Sequence, residues 1–524
     1  MLKKRLALIF TTMLAGIILP LAGCNAVAPE SAPQTEATEE EKDAIEDIAL
    51  TVTALGNPVT RVTGGDPSAF TDGEKVYLYS GHDVSTDEEV SKSIYNIPEY
   101  LCYSSEDMKN WTEEGVVMTM DTVDWAADDV SAWASQVISY KDKYYLYFCS
   151  WEKNGKQSIG VAISDSPTGS FVDIGEPLVR GTQTKPDLST FNDIDPTVWV
   201  ETDENGEEHR YLAWGNGVFF VCELNEDMIS VKDINGDGEI TCGLDTAEAD
   251  IIKRTAGLES YTEAPWIYRR SDGNGGYTGP YYVFFAHEWH ESMAYATTDD
   301  LLSGEWSDTV RIMYPTVTSN TNHPAVIDFK DKTYFIGHNG ALPGGSGYRR
   351  SVTVQELIFN EDGSIDLMEE SASGLSGETV SILTADGEPV VHEAFVNSAS
   401  DSDYPYKDVM VGIGLRKSEG DGLWVLRPGK SDNGNKSLVS IESENKPGLY
   451  ITVSEDGTVN LAQDTDATDE SAASQTFHSY RVGGDDSRVI LESVSLPGKY
   501  LLISEGVLHT GSSEDAASSP FSIE

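Results

Sequence analysis

Three acidic side chains stand in similar phrases at widely separated points of the chain. They are Asp66 in GGDPSAF, Asp195 in DIDPTVW and Glu263 in TEAPWIY. Carboxyl groups held close together divide protons unequally, because like charges raise one pKa and leave the other group ionised. Such a set can perform general acid–base work, one member giving a proton and another taking one. Singly, each has a plainer role. Asp before Pro is common in turns, and Glu263 alone can cap a strand or pair with Arg269 or Arg270. The chemistry depends on whether the fold brings them together.

The elements that must do so are strands. From about residue 56 to 370, Tyr, Val, Phe, Trp and Ile alternate between Gly/Asp/Asn turns, and no long amphipathic helix interrupts them. One phrase recurs: an apolar run, a Gly/Asp/Lys turn, an aromatic run. Its copies begin near Pro67, Ser135, Pro196, Pro265 and Pro324, a period of 59 to 69 residues. Five radial repeats of this size predict a five-bladed β-propeller, with a β-sandwich as the alternative that leaves the repeat unexplained. The first strand of each blade then lines a central channel. The residues just before those strands are Asp66, Trp133, Asp195, Glu263 and His323, and they would gather at one mouth.

Composition narrows the field. The chain has 524 residues, room for more than one domain, with 88 acidic against 35 basic side chains and a net charge of −53. That excludes a protein that tracks nucleic-acid phosphates with a basic face, and it suits solubility outside the cell and a neutral substrate such as a sugar. MLKKRLALIFTTMLAGIILPLAGC has a basic start and an apolar stretch, which predicts a secretory signal. Its LAGC resembles the bacterial lipoprotein box. The resemblance implies cleavage before Cys24 and lipidation of its thiol, hence a cell-surface lipoprotein; an ordinary signal peptide or a membrane helix is the alternative. Residues 25–49 read as an acidic, solvated tether. Cys102 and Cys149 fall in apolar runs and read as buried thiols, and a Cys222–Cys242 disulfide is one option for the remaining pair. DINGDGEI, Asp233–Ile240, starts like a calcium loop, but Leu244 stands where a bidentate Glu is expected, so a weak ion site or a plain turn is the reading.

Glycoside hydrolysis needs one protonated and one ionised carboxyl group, and a third can hold the acid's proton and orientation. Three acids at one mouth meet that need. At these residues the chain resembles glycoside hydrolase family 43, through GGDPSAF, SGHD, DIDPTVW, TEAPWIY, SMAYATTD, TNHPAVIDF and GGSGYRRSV. The resemblance implies a five-bladed propeller and inverting hydrolysis of arabinose- or xylose-containing polysaccharides without a cofactor in the chemistry. It implies Asp66 as general base, Glu263 as general acid and Asp195 as the residue that tunes and orients the acid. It further implies that His323 helps hold a structural calcium through water, a hydrogen-bonded structural His being the alternative. Arg349 or Arg350, with Arg349 favoured, would reach substrate or the acids. Trp133 is a candidate wall for a sugar ring or a packing residue, and Phe70, His82 and Asp83 are candidate rim residues.

Beyond about residue 372 the texture changes. SIESENKPGLYITV (Ser440–Val453) matches ILESVSLPGKYLLI (Ile490–Ile503) at an offset of fifty, and SPFSIE begins another such strand. Repeats of this length predict a β-trefoil-like domain over 423–524, with 373–422 a connecting β region or a divergent third repeat. ES-x-x-x-PG-x-Y resembles the arabinose-binding trefoil attached to arabinofuranosidases. The whole reads as all-β: signal 1–24, tether 25–49, propeller 50–372, then the C-terminal repeats. The expected activity is release of terminal α-L-arabinofuranose from arabinoxylan or arabinan, a plant cell-wall polysaccharide partner. β-Xylosidase or dual activity, endo-arabinanase, a retaining fructan-type propeller and a non-catalytic glycan-binding lipoprotein are the alternatives.

Overall fold

The structure, a computed structural model, describes residues 44–184, 192–203, 205–244, 248–273, 275–393, 410–414 and 418–524. The signal, Cys24 and most of the tether lie outside these. Among the described residues no helix is long and apolar enough to cross a membrane.

Five antiparallel sheets form the blades, and their innermost strands are Ser68–Thr71, Ser135–Tyr140, Thr197–Thr202, Tyr261–Ser271 and Ala325–Phe329. Each innermost strand touches its neighbours in sequence, and the last touches the first, so the ring is closed. Closure is made by backbone: Val59 N–H donates to Val352 O at 2.8 Å and Gly64 N–H to Arg350 O at 2.6 Å. The segment before the first blade thus edges the last one, which has three strands of its own. Blade sheets are covered on both faces, so their inner strands bury nearly every side chain, as in Leu146–Ser150. One apolar cluster joins Ala69 and Leu78 of blade 1 to Trp266 and Phe284 of blade 4 and Phe335 of blade 5.

The repeated hairpin is turned in two ways. In blade 1, Asp72 Oδ1 accepts from Glu74 N and Lys75 N at 2.9 and 2.8 Å, an Asp-closed loop. In blade 5, Lys330 and Asp331 alone join paired Phe329 and Lys332, with φ of 48° and 64°, the left-handed pair that a two-residue hairpin requires.

The C-terminal β domain joins eleven strands in one sheet. Trp424–Pro428 pairs with Leu438–Ser443, and Phe477–Val482 with Asp485–Ser493. The final strand, Ser522–Ile523, pairs with Ile382–Leu383, so the region before Leu423 belongs to this domain's framework. The tether reading needs correction at its end. Ile45–Asp47 is a strand paired with Tyr480–Val482, and Leu50 and Val52 pack on the C-terminal core rather than on the propeller.

The disulfide option falls. All four described cysteines are free. Cys222 and Cys242 both pair with Ile251, one on each side, so a whole strand separates them. Two ladder spacings make about 9.6 Å, beyond the roughly 7 Å that a disulfide spans. In the DINGDGEI loop Asp233 accepts from Gly236 N and Gly238 N at 2.6 and 2.7 Å, the bonds of a turn, and Leu244 is exposed.

Candidate active site

One small cavity at a mouth of the channel is lined by Asp66, Tyr95, Trp133, Asp195, Glu263 and Arg350, with Ile97, Ile194 and the 321–323 segment completing it. The three acids do converge. Their backbone explains how. Asp66, Asp195 and Ala264 each precede a proline, Pro67 and Pro196 just ahead of their inner strands and Pro265 within Tyr261–Ser271, and each has a left-handed φ, of 52°, 61° and 56°. A non-glycine residue held there costs roughly 1–3 kcal/mol, a strain that collects at functional sites. Blade 4 therefore places Ala264, not Glu263, at the position equivalent to the two aspartates. Glu263 stands one residue earlier, at a register shift in the strand pairing, and reaches the pocket on its longer side chain.

That offset creates a contact. Ala264 N donates to Asp195 Oδ2 at 2.9 Å, so Asp195 holds the peptide next to Glu263. Asn216 Nδ2 donates to Glu263 Oε2. Burial pushes the Glu263 carboxyl above the ordinary carboxylate range, with the Asp66 charge adding to it and the Asn216 bond opposing. Asp195 is raised well above its usual value by burial and by the charges of Glu263 and Asp66.

Asp66 goes the other way. Burial is the largest single influence and would raise it, but the charge and hydrogen bond of Arg350 together with His338 and His323 outweigh it, and its pKa is lowered. Arg350 Nη1 donates to Asp66 Oδ1 at 2.6 Å, while its Nε and Nη2 grip Asp83 at 2.9 and 3.0 Å. The guanidinium lies 4.7 Å from the Tyr95 ring centre. Gly65 makes the approach possible, since a Cβ there would come within 2.2 Å of Arg350 Cζ. The Asp66 N–H donates to His338 Nδ1 at 3.1 Å.

The other sequence-chosen residues scatter. Arg350, not the favoured Arg349, occupies the pocket; Arg349 pairs with exposed Asp87 instead, from the turn that leads into the strand Ser351–Leu357. Trp133 lines the cavity, edge-on to Trp151 at 6.4 Å. Asp83 is buried behind Arg350 as its anchor. His82 bonds Glu99 at 2.8 Å, outside the cavity lining. Phe70 stacks on Tyr77 at 5.3 Å and faces the opposite end of the channel. Tyr95, Asn216, Glu291 and His338 were not singled out by sequence; His338 ends the aromatic run of the fifth phrase, and the other three lie outside the repeated phrase.

His323 Nδ1 lies 3.8 Å from Asp66 Oδ1, and burial lowers its pKa to about 4, so it is neutral. Calcium takes six to eight oxygen ligands. A neutral imidazole beside a carboxylate already paired with Arg350 suits an ion held through water, not one ligated directly. Among the described residues, the gathering of three or more His, Cys, Asp or Glu ligand atoms is Asp203, Glu207 and His209, on the blade 3 hairpin.

Comparison with known proteins identifies the family. Residues 55–365 match the model for glycosyl hydrolases family 43, and residues 392–520 match the alpha-L-arabinofuranosidase B (ABFB) domain. A xylosidase/arabinosidase of Bacteroides ovatus is 28% identical over 339 residues, 58% of this chain and 94% of that one. Xylosidase/arabinosidase 43A of Humicola insolens is 26% identical over 342 residues, covering 59% and 97%. A solved β-xylosidase/α-arabinofuranosidase from a compost microbial metagenome, in complex with xylotriose and in calcium-free form, is 25% identical with a TM-score of 0.47, over 61% of this chain and 98% of that one. The family match runs along the whole ring that gathers the acids and over more than half of the sequence, and the chain accordingly belongs to glycosyl hydrolases family 43.

Proposed function

We propose that the protein is an inverting exo-hydrolase that releases terminal α-L-arabinofuranose from arabinoxylan or arabinan. The observation that carries the reading is the unequal pairing of two carboxyl groups in one pocket. Asp66 is bonded by the Arg350 guanidinium, which favours its ionised form, while Glu263 is bonded by the neutral amide of Asn216 and burial favours its protonated form. Asp66 is the general base and takes a proton from water as that water's oxygen bonds the anomeric carbon. Glu263 is the general acid and gives its proton to the leaving oxygen as the glycosidic bond breaks. Asp66 ends protonated and Glu263 ionised, and exchange with solvent resets both. Asp195 holds the peptide next to Glu263 and so orients the acid. Inversion requires the two carboxyl groups about 6.5–9.5 Å apart, with water on the face opposite the leaving group. The chemistry of this family needs no cofactor. A calcium held through water beside His323 has a structural role in this reading.

The ABFB match and a 29% identical arabinoxylan arabinofuranohydrolase of Bacillus subtilis (strain 168) favour arabinose. The xylosidase/arabinosidase relatives favour a second activity on β-xylosides in the same pocket. Assay of 4-nitrophenyl α-L-arabinofuranoside and β-D-xyloside, with the first-formed anomer followed by NMR, tests both. A retained anomer, or turnover of the xyloside alone, overturns the reading. Anchoring through a lipidated Cys24 places the enzyme on the outer face of the cell; Cys24→Ser should release it to the medium.

A further inference from the structure

Glu291 lies outside the repeated phrase, on the loop between Tyr277–His287 and Ser292–Thr298. It is 1% exposed. Its backbone N–H donates to Asn320 O at 3.2 Å, and its Oε2 accepts from Asn322 N at 2.9 Å, so the side chain is fixed at both ends. Its Oε1 is buried and, among the described residues, meets no N–H or hydroxyl donor. What the carboxyl group faces is Glu263, within hydrogen-bond reach. Two carboxylates cannot meet this way in a buried pocket, and an ionised oxygen without a donor would be orphaned. Once Glu263 has given its own proton to the leaving oxygen, a proton on Glu291 Oε1 is what removes both difficulties, because the neutral carboxyl group then donates to the Glu263 carboxylate.

We propose that Glu291 is a positioning residue that stays protonated through the cycle and donates a hydrogen bond to Glu263, stabilising the carboxylate left when Glu263 protonates the leaving oxygen. This rests on Glu263 being the general acid. The proton on Glu291 is not transferred; the bond shortens as Glu263 gains charge, so the interaction is stronger in the transition state than in the ground state, the condition for acceleration. Burial and the charge of Glu263 hold the Glu291 carboxyl well above its usual range, which agrees. The charged groups facing the pair are Asp195, Asp66 and Arg350. Asp195 supports the neighbouring peptide, whereas Glu291 reaches the acid's own carboxyl group. The general acid therefore has a partner on each side.

The test compares Glu291→Ala and Glu291→Gln on two arabinofuranosides, one with an alkyl aglycone and one with 2,4-dinitrophenol, which departs without protonation. Glu291→Ala is expected to lower kcat about 10- to 100-fold on the alkyl substrate and less than threefold on the dinitrophenyl one. Loss of a donor to the carboxylate should move the basic limb of its kcat profile upward. Glu291→Gln keeps an N–H donor and nearly the same shape, so it should stay within threefold of the parent with its limb in place. Equal losses on both substrates with an unmoved limb would show a purely structural residue and overturn the proposal. A downward limb shift would show that Glu291 is an ionised neighbour and overturn it too. Infrared difference spectra of Glu291→Gln at neutral pH supply a readout independent of how well the alanine variant folds: a protonated-carboxyl band should lose intensity, and an unchanged band overturns the proposal. Glu263→Gln separates this failure from failure of the acid assignment. If it spares the dinitrophenyl substrate the assignment stands by itself; if it slows both alike, the assignment falls first.

Discussion

Two arginines, one buried at the channel mouth and one partly buried at the seam with the C-terminal domain, use the same chemistry to different ends. Arg350 divides its guanidinium between Asp83, which it grips with two nitrogens, and Asp66, which it touches with one. Arg427 gives Nε to Glu442 at 2.7 Å and spends Nη2 on the backbone oxygens of Ala372 and Asn57 at 2.8 and 3.3 Å. The seam pair is saturated: Glu442 also takes Gly448 N at 2.7 Å. The pocket pair is not, since Arg350 meets only Oδ1 of Asp66 and leaves Oδ2 outside the ion pair, in a residue that lines the cavity. A buried ion pair that uses all its lone pairs fixes structure. One that leaves a carboxylate oxygen free also sets a charge state for chemistry.

The comparison breaks most visibly at the carboxylates. Asp66→Asn should reduce hydrolysis about 10³-fold on any leaving group, since the base acts whatever departs; steady-state rates on both nitrophenyl and alkyl substrates check this. Arg350→Met should come next. It leaves Asp83 buried and unpaired, a loss of about 3–5 kcal/mol in stability, and it should also lower kcat. Arg427→Met should cost a comparable amount in thermal unfolding yet leave kcat on a small chromogenic substrate within twofold. If kcat fell with Arg427→Met as it does with Arg350→Met, the division between seam and pocket would be lost.

The pH profile sharpens the same contrast. Asp66 has a lowered pKa, so the acid limb should lie below the ordinary Asp range; Glu263 has a raised one, so the basic limb should lie above the ordinary Glu range. A conservative replacement that removes the Arg350 charge lifts Asp66, so the acid limb moves up and activity narrows from the low-pH side. Smaller still is Gly65→Ala. Its Cβ would meet Arg350 Cζ at 2.2 Å and displace the guanidinium, for an expected loss of about tenfold in kcat with the fold retained. The smallest effect is on the thiols: reductant should leave the melting temperature unchanged, because Cys222 and Cys242 are separated by a strand.

Much of this was legible beforehand because a propeller writes its symmetry into the chain. The spacing of Pro67, Pro196 and Pro265 marks the inner strands, and the acids before them must share a mouth once the ring closes. Arg349 and Arg350 were not separable by pattern: both follow Tyr348, and the partners that hold them, Asp87 for one and Asp83 with Asp66 for the other, are set by the fold. Asn216 and Glu291 gave no signal either. They lie on loops outside the repeat, and their importance is a matter of distance to Glu263.

The sequence by itself determined the kind of residue available and the order of delivery: five hairpins, three acids ahead of inner strands, and a second β repeat behind them. Local pattern can do this because strand alternation and turn chemistry act over a few residues. Only the tertiary structure decided protonation. Whether a carboxyl group keeps its proton depends on burial and on charges brought from 284 residues away, as with Arg350 and Asp66, and electrostatics follows distance in space, which the linear chain does not contain.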